Sequence, residues 1–166
     1  MPVQSLILYP DPRLRLRAEP VTVFDDALRR EADALVAALI RVSAIGLAGP
    51  HVGWLARVVA LRLEPGMPAT LYVNPEIVFA SPETAPQTEG SVSMPGVSDT
   101  VERAVTVRLR YDDLDGTGHE IESEGFEAAC LQHEIDQLDG IFWIERLSRL
   151  RRERAVKRYA KARRAA

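Results

Sequence analysis

Residues 129–140 read A-C-L-Q-H-E-I-D-Q-L-D-G, and within them His133-Glu134-x-x-Gln137 is one letter from H-E-x-x-H. In that pattern two imidazoles at i and i+4 share a helix face and grip zinc, while the Glu handles the proton of the bound water. Helical spacing places Cys130, His133, Glu134 and Gln137 on one face, since three- and four-residue steps are neighbours there. The second ligand position, however, holds the neutral amide of Gln137. With no metal, His133 and Glu134 read as a buried polar pair kept by hydrogen bonds to Gln137 or Ser91. Cys130, one turn before His133, reads as a small core residue.

The flanking elements have to carry this helix and a pocket beside it. Residues 6–23 are broken by Pro10, Pro12 and Pro20 and are expected to be extended and irregular. Residues 24–43 form the first strong helix: Asp25 or Asp26 can cap it, and Leu28, Leu35, Leu39 and Val42 recur at helical spacing. It runs into Gly46 and Gly49, where glycine permits close approach of backbone to a ligand. Residues 57–63 and 71–78 read as strands, with a turn at Pro65, Gly66 and Pro68. Residues 79–88 read as a polar loop, Pro95-Gly96 as a turn, and 101–111 as one half-buried strand. A turn at 112–118 and a short strand at 119–124 follow. The motif helix then spans about 126 to 138 and stops at Gly140. The apolar run Ile141-Phe142-Trp143-Ile144 is expected to pack beneath it, and a basic helix covers about 148–164. Strands gathered between helices argue an α+β fold, a single domain over residues 1–166.

Gln132-His133-Glu134-x-Asp136-x-Leu138-x-Gly140 resembles the third signature of the peptide deformylases, Q-H-E-x-D-H-L-x-G. Two upstream stretches match the family's other signatures in order. Residues 44–51, A-I-G-L-A-G-P-H, resemble G-x-G-L-A-A-x-Q, and Glu89-Gly90-Ser91-Val92-Ser93 resembles E-G-C-L-S. The resemblance covers nearly the whole chain. It implies antiparallel strands around a central helix, and removal of the formyl group from N-terminal formyl-Met. In the family a divalent metal on one Cys and two His activates water, the Glu shuttles protons, and a backbone N–H with the Gln stabilises the oxyanion. A bound metal lowers the pKa of water from about 15.7 to about 7.

Carried over residue by residue, the resemblance makes His133 a ligand and Glu134 the acid/base. Ile45, Gly46, Leu47, Glu89, Gly90 and Val92 shape the pocket, with Cys130 beside them. The family's Cys aligns with Ser91 and its second His with Gln137. Neither a hydroxyl nor an amide normally ligates zinc. The expectation is a degenerate metal site with no cofactor, or at most one zinc or iron ion at reduced affinity. His51 stands where the family has Gln, which removes an expected amide donor and adds a candidate substitute ligand.

At 166 residues, 46% hydrophobic and 27% charged, the composition is that of an ordinary globular domain. The first ten residues lack a long apolar segment, so neither a leader nor a membrane span is expected. One cysteine excludes an internal disulfide and fits a reducing, cytoplasmic location. The net charge of −3 hides an asymmetry. Residues 146–166 carry ten Lys/Arg against Glu153 alone, on an acidic body. Such a patch favours phosphate by counterion release, and the resemblance adds that bacterial deformylases dock a basic C-terminal helix on the ribosome. The bland alternative is a solvated helix face.

Three functions compete on these grounds. The first is a deformylase-like protein without efficient activity that binds formylated or nascent N-termini. The second is a working deformylase with a metal site rebuilt from His51, His133 and Glu134. The third is metal-free catalysis by Glu134.

Overall fold

A computed structural model describes residues 5–165; residues 1–4, part of the stretch read for a leader, lie outside them. Helix α1 (Asp26–Arg41) is capped by Asp25, whose carboxylate accepts from the Leu28 N–H at 3.0 Å. Its buried stripe of Leu28, Ala32, Leu35, Ala38 and Leu39 follows the helical period. Strands β1 (Gly46–Ala48), β2 (Val58–Leu61), β3 (Thr70–Ala80), β6 (Thr106–Asp112) and β7 (Gly118–Glu124) form one antiparallel sheet in that order. Strands β4 (Thr84–Ser91) and β5 (Met94–Ala104) form a separate hairpin. Helix α2 (Gly125–Leu138) packs on β1, β2 and β7, and α3 (Arg149–Ala165) packs on β5. The antiparallel strands and three α-helices make the fold α+β, as the sequence implies.

Three expectations about strands change. Residues 84–88 are not loop but the start of β4, because they pair with β5 from Thr84↔Ala104 onward. The single strand expected over 101–111 is two. Gln132 takes both backbone groups of Ala104: the Ala104 N–H donates to Oε1 at 3.0 Å, and Nε2 donates to the Ala104 carbonyl at 2.9 Å. The chain therefore leaves the hairpin there and enters the large sheet at Thr106. Pro95-Gly96 is a bulge inside β5 rather than a turn, since the register jumps between Gly90↔Ser98 and Ser91↔Met94 and Gly96 has φ 83°.

Three apolar clusters hold the layers together. One joins α1 to β1, β2 and β3 through Leu35, Leu39, Leu47, Val58 and Val73. Another packs Leu131, Ile135 and Leu138 of α2 on Val59, Tyr72 and Leu109. The third gathers Leu14, Met94, Phe142, Trp143, Ala155 and Tyr159. Phe142, Trp143 and Ile144 of the run 141–144 therefore belong to the cluster under α3, not to the one under α2. Its backbone turns as a 3-10 segment, Trp143–Arg146, that directs Trp143 and Ile144 inward.

The irregular N-terminal segment is tied down by specific bonds. Asn74 pairs with both backbone groups of Val21, at 2.8 and 2.9 Å. The Ala18 N–H donates to the Leu138 carbonyl at 2.8 Å. Gly140, at φ 77°, is required for the close crossing of this segment, because a Cβ there would lie 2.4 Å from the Arg15 carbonyl oxygen.

Candidate functional site

A cavity of about 490 Å³ opens between β1, the β4–β5 hairpin and α2. Ile45 and Gly46 border it on one side, Glu89, Gly90, Ser91 and Val92 on another, and Cys130, His133 and Glu134 on the third; His51 also lines it. The three stretches singled out in the sequence thus meet in one pocket. Two residues do not join them. Leu47 is fully buried against α1, since alternation along β1 turns it away from the face on which a Cβ at Gly46 would meet Glu134 at 3.0 Å. Gln137 does not line the cavity and is 2% exposed. Its Nε2 donates to the Leu14 carbonyl at 2.8 Å, because the N-terminal segment crosses the last turn of α2.

The polar partner of His133 is Glu89, not Gln137 or Ser91. His133 Nδ1 lies 2.8 Å from Glu89 Oε1, which leaves Nε2 free to face the pocket side, 3.8 Å from Glu134 Oε1. Glu89 is itself gripped by Arg103, Nε to Oε2 at 2.6 Å and Nη2 to Oε1 at 2.7 Å. Arg103 Nη1 continues to Asp136 Oδ2 at 2.7 Å, and Asp136 receives Arg146 at 2.9 and 2.7 Å. Sequence reading missed Arg103, which is 5% exposed. A single arginine in β5 carries no local signal of a partner 33 residues downstream; only the Glu and Asp inside two signatures hinted that buried carboxylates needed a cation.

These contacts set the charges. Burial alone would raise the Glu89 carboxyl, but the Arg103 and His133 hydrogen bonds outweigh it and hold it below its ordinary value. Burial would lower His133, and the Glu89 bond with the Glu134 and Glu89 charges raises it instead. Glu134 accepts no such bond: burial pushes it up to about 7 against the pull of the His133 charge, and its Oε2 has no hydrogen-bond partner. Burial and the nearby His133 push His51 down to about 3. The Cys130 thiol goes up to about 12 through burial and the surrounding carboxylates, so it is a half-buried neutral wall of the pocket.

His51 keeps a donor after all. The Ala48 N–H donates to His51 Nδ1 at 3.0 Å, so the neutral ring carries its proton on Nε2. That Nε2 is buried without a partner. Ser91 Oγ accepts from the Ser93 N–H at 3.1 Å. Among the described residues no group of three or more His, Cys, Asp or Glu side chains is disposed to hold a metal ion.

The family model for polypeptide deformylase matches residues 3–153. This chain belongs to the peptide deformylase family. A peptide deformylase-like protein of Brucella melitensis is 56% identical over 99% of the chain and its own full length. A peptide deformylase of Phenylobacterium zucineum is 39% identical over the full length of both. The crystal structure of a peptide deformylase from Legionella pneumophila superposes with a TM-score of 0.92 at 34% identity, covering 99% of this chain and 97% of that one. The deformylase fold is therefore shared over nearly the whole chain. The Arg103–Glu89–His133 arrangement ties two of the signature stretches to β5 within that fold.

Proposed function

We propose that this deformylase-family chain binds formylated or nascent N-termini in its pocket and lacks efficient metal-dependent deformylase activity. The donor set carries the reading. Of the three family ligand positions, His133 alone offers a strong nitrogen donor. Ser91 offers a hydroxyl engaged by Ser93, and Gln137 is directed at Leu14. This set does not fit zinc or iron, which take thiolate, imidazole and carboxylate donors. Two edge strands, β1 and β4, border the same pocket and leave backbone groups for an extended peptide. A peptide deformylase of Acinetobacter baumannii, 34% identical, has been crystallised with Met-Ala-Ser bound, which supports a peptide N-terminus as the occupant.

The second reading, an active deformylase with a rebuilt site, draws on His51, His133 and Glu134 sharing the pocket. Against it stands the Ala48 N–H, which occupies His51 Nδ1 and leaves a protonated Nε2 that cannot ligate. No helix among the described residues is long and apolar enough to cross a membrane, and a cytoplasmic location remains part of this proposal. So does ribosome or RNA contact through exposed Arg154, Lys157, Lys161 and Arg164.

Elemental analysis of purified protein, with calorimetric titration of formyl-Met and unformylated peptides, tests the reading. Well under one equivalent of zinc, iron, nickel or cobalt, with binding of the peptide, is expected. Near-stoichiometric metal that is lost in His133→Ala, together with turnover of the formyl peptide, overturns it.

A further inference from the structure

A second cavity, of about 370 Å³, opens where three distant segments meet, and it shares no lining residue with the deformylase pocket. The N-terminal segment brings Tyr9 and Arg15, and the 3-10 segment with its cap brings Phe142, Ile144 and Glu145; α3 supplies the remaining side. The apolar wall is fixed by contacts within the chain. The Tyr9 ring stacks on Phe142 with centroids 5.5 Å apart and meets the Tyr159 ring edge-on at 6.0 Å. The Tyr9 N–H donates to the Ser93 carbonyl at 2.7 Å, and Arg163 Nη1 donates to the Tyr9 carbonyl at 3.3 Å. Glu145 Oε2 accepts from the Phe142 N–H at 2.9 Å and so holds the turn that presents Phe142 and Ile144. On α3, Arg152 and Val156 stand one turn apart on the cavity face, while Ala155 and Tyr159 are buried on another.

The charges around this wall do not cancel. Three cations, Arg15, Arg152 and Lys157, line the cavity with two carboxylates, Glu145 and Glu153. Both carboxylates are engaged, Glu145 by Phe142 and Glu153 by Arg149 at 3.1 Å. The cations are not. Among the described residues no carboxylate pairs with Arg15, Arg152 or Lys157, whereas Arg151 and Arg158 of the same helix reach Asp99. The lining thus has a surplus of one positive charge over an apolar floor. A concave, mainly apolar pocket with a few convergent polar groups is the form of a small-molecule site, and the volume lies in the usual range of about 300–1,000 Å³.

We propose that this second cavity binds a small organic acid, a monocarboxylate with an aromatic or branched apolar body. The body lies against Tyr9, Phe142, Ile144 and Val156, and the carboxylate meets Arg15 and Arg152, whose planar N–H forks match its two oxygens. Lys157 adds a point charge at the same rim. One negative charge balances the surplus. A phosphate monoester would bring two charges to it, and a sugar-phosphate chain would leave the apolar wall uncovered. The inference is independent of what fills the deformylase pocket.

The test titrates the full chain, labelled with nitrogen-15, with 4-phenylbutyrate and follows backbone amide shifts by NMR. Saturable shifts are expected at Tyr9, Phe142 to Glu145 and Arg152 to Lys157, and not at Gly46, Val92 or Cys130. 4-Phenylbutanol has the same body without the charge, and its phosphate ester carries the body on a dianion; both should bind at least about tenfold more weakly. In Arg15→Gln with Arg152→Gln the affinity for 4-phenylbutyrate should fall by about tenfold or more, the scale of a lost charged hydrogen bond, with binding of the alcohol unchanged. Lys157 is left in place so that the readout stays separate from RNA contact. No saturable shift, shifts confined to the deformylase pocket, or equal binding of the alcohol overturns the proposal. So does tighter binding of the phosphate ester, or a double variant with wild-type affinity. Failure of formyl-Met peptide binding leaves these shifts untouched, so the two readings fail separately.

Discussion

Glu89 Oε1 lies 2.8 Å from His133 Nδ1, and the same oxygen accepts from Arg103 Nη2 at 2.7 Å. One buried carboxylate therefore couples the pocket imidazole to a cation on β5, and the pair extends through Asp136 to Arg146. Arg103→Ala leaves Glu89 in the interior with His133 as its one remaining partner. A loss of about 3–5 kcal/mol in unfolding free energy is expected, the usual cost of removing one partner of a buried ion pair. Urea denaturation of the variant against wild type measures it, and a loss below about 1 kcal/mol would show that water compensates Glu89 instead.

Glu134 gives stability an alkaline slope. Its folded pKa is raised to about 7 by burial. The folded state therefore holds the proton more tightly than the unfolded chain, and this contribution is full below about 4.5 and is lost as pH rises through 7. Glu134→Gln removes that titration. The variant is expected to be more stable than wild type by about 1–3 kcal/mol at pH 8 and nearly equal to it at pH 5. His51 acts in the opposite direction: its pKa falls to about 3, so the stability it contributes is present above about 6.5 and erodes as pH falls. Denaturant midpoints at the two pH values separate the two contributions.

The double change Ser91→Cys with Gln137→His should create a metal site. Leu14 supplies a backbone carbonyl where Gln137 Nε2 now donates. A His at 137 can give its Nδ1 proton to that carbonyl and leave Nε2 for the ion, the second-shell pattern common to ligating histidines. Close to one equivalent of zinc is expected in the double variant and little in either single one. A folded double variant without zinc would mean that the α2–β4 spacing does not suit a shared ion.

The basic helix α3 is part of the folded body. A solvated helix face, the bland reading of these charges, would be removable after about Leu147 with the body intact. Ala155 and Tyr159 are instead buried in the cluster with Met94 and Trp143, and Arg151 and Arg158 pair with Asp99. Truncation should destabilise the chain. Changing Arg154, Lys157, Lys161 and Arg164 to Gln spares those contacts and should weaken ribosome or RNA cosedimentation while lowering its salt dependence. Unchanged binding at low salt would remove the helix face as a phosphate-binding surface.

Cys130 should be a slow thiol. A pKa of about 12 leaves it almost entirely protonated at neutral pH. Alkylation on the order of 10²-fold slower than a free cysteine is expected, recovered on denaturation.

The sequence by itself determined the helices, the family and most of the pocket's lining, Leu47 and Gln137 excepted. The period of Leu28, Leu35 and Leu39 with the Asp25 cap is local information, and so is the i, i+3, i+4 spacing that puts Cys130, His133 and Glu134 together. Tertiary structure alone decided what those groups touch. Strand β4 is polar on both faces and is a strand only because β5 pairs with it, so its own pattern carries no signal. The break at Ala104 comes from Gln132, 28 residues away, and Gln137 leaves the pocket for Leu14, 123 residues away. Whether His51 offers a lone pair or a proton depends on the Ala48 N–H, whose direction is set by the turn between β1 and the 3-10 segment. Residue type supplies a donor or an acceptor, but its partner and tautomer are fixed by backbone groups that the fold brings in from elsewhere.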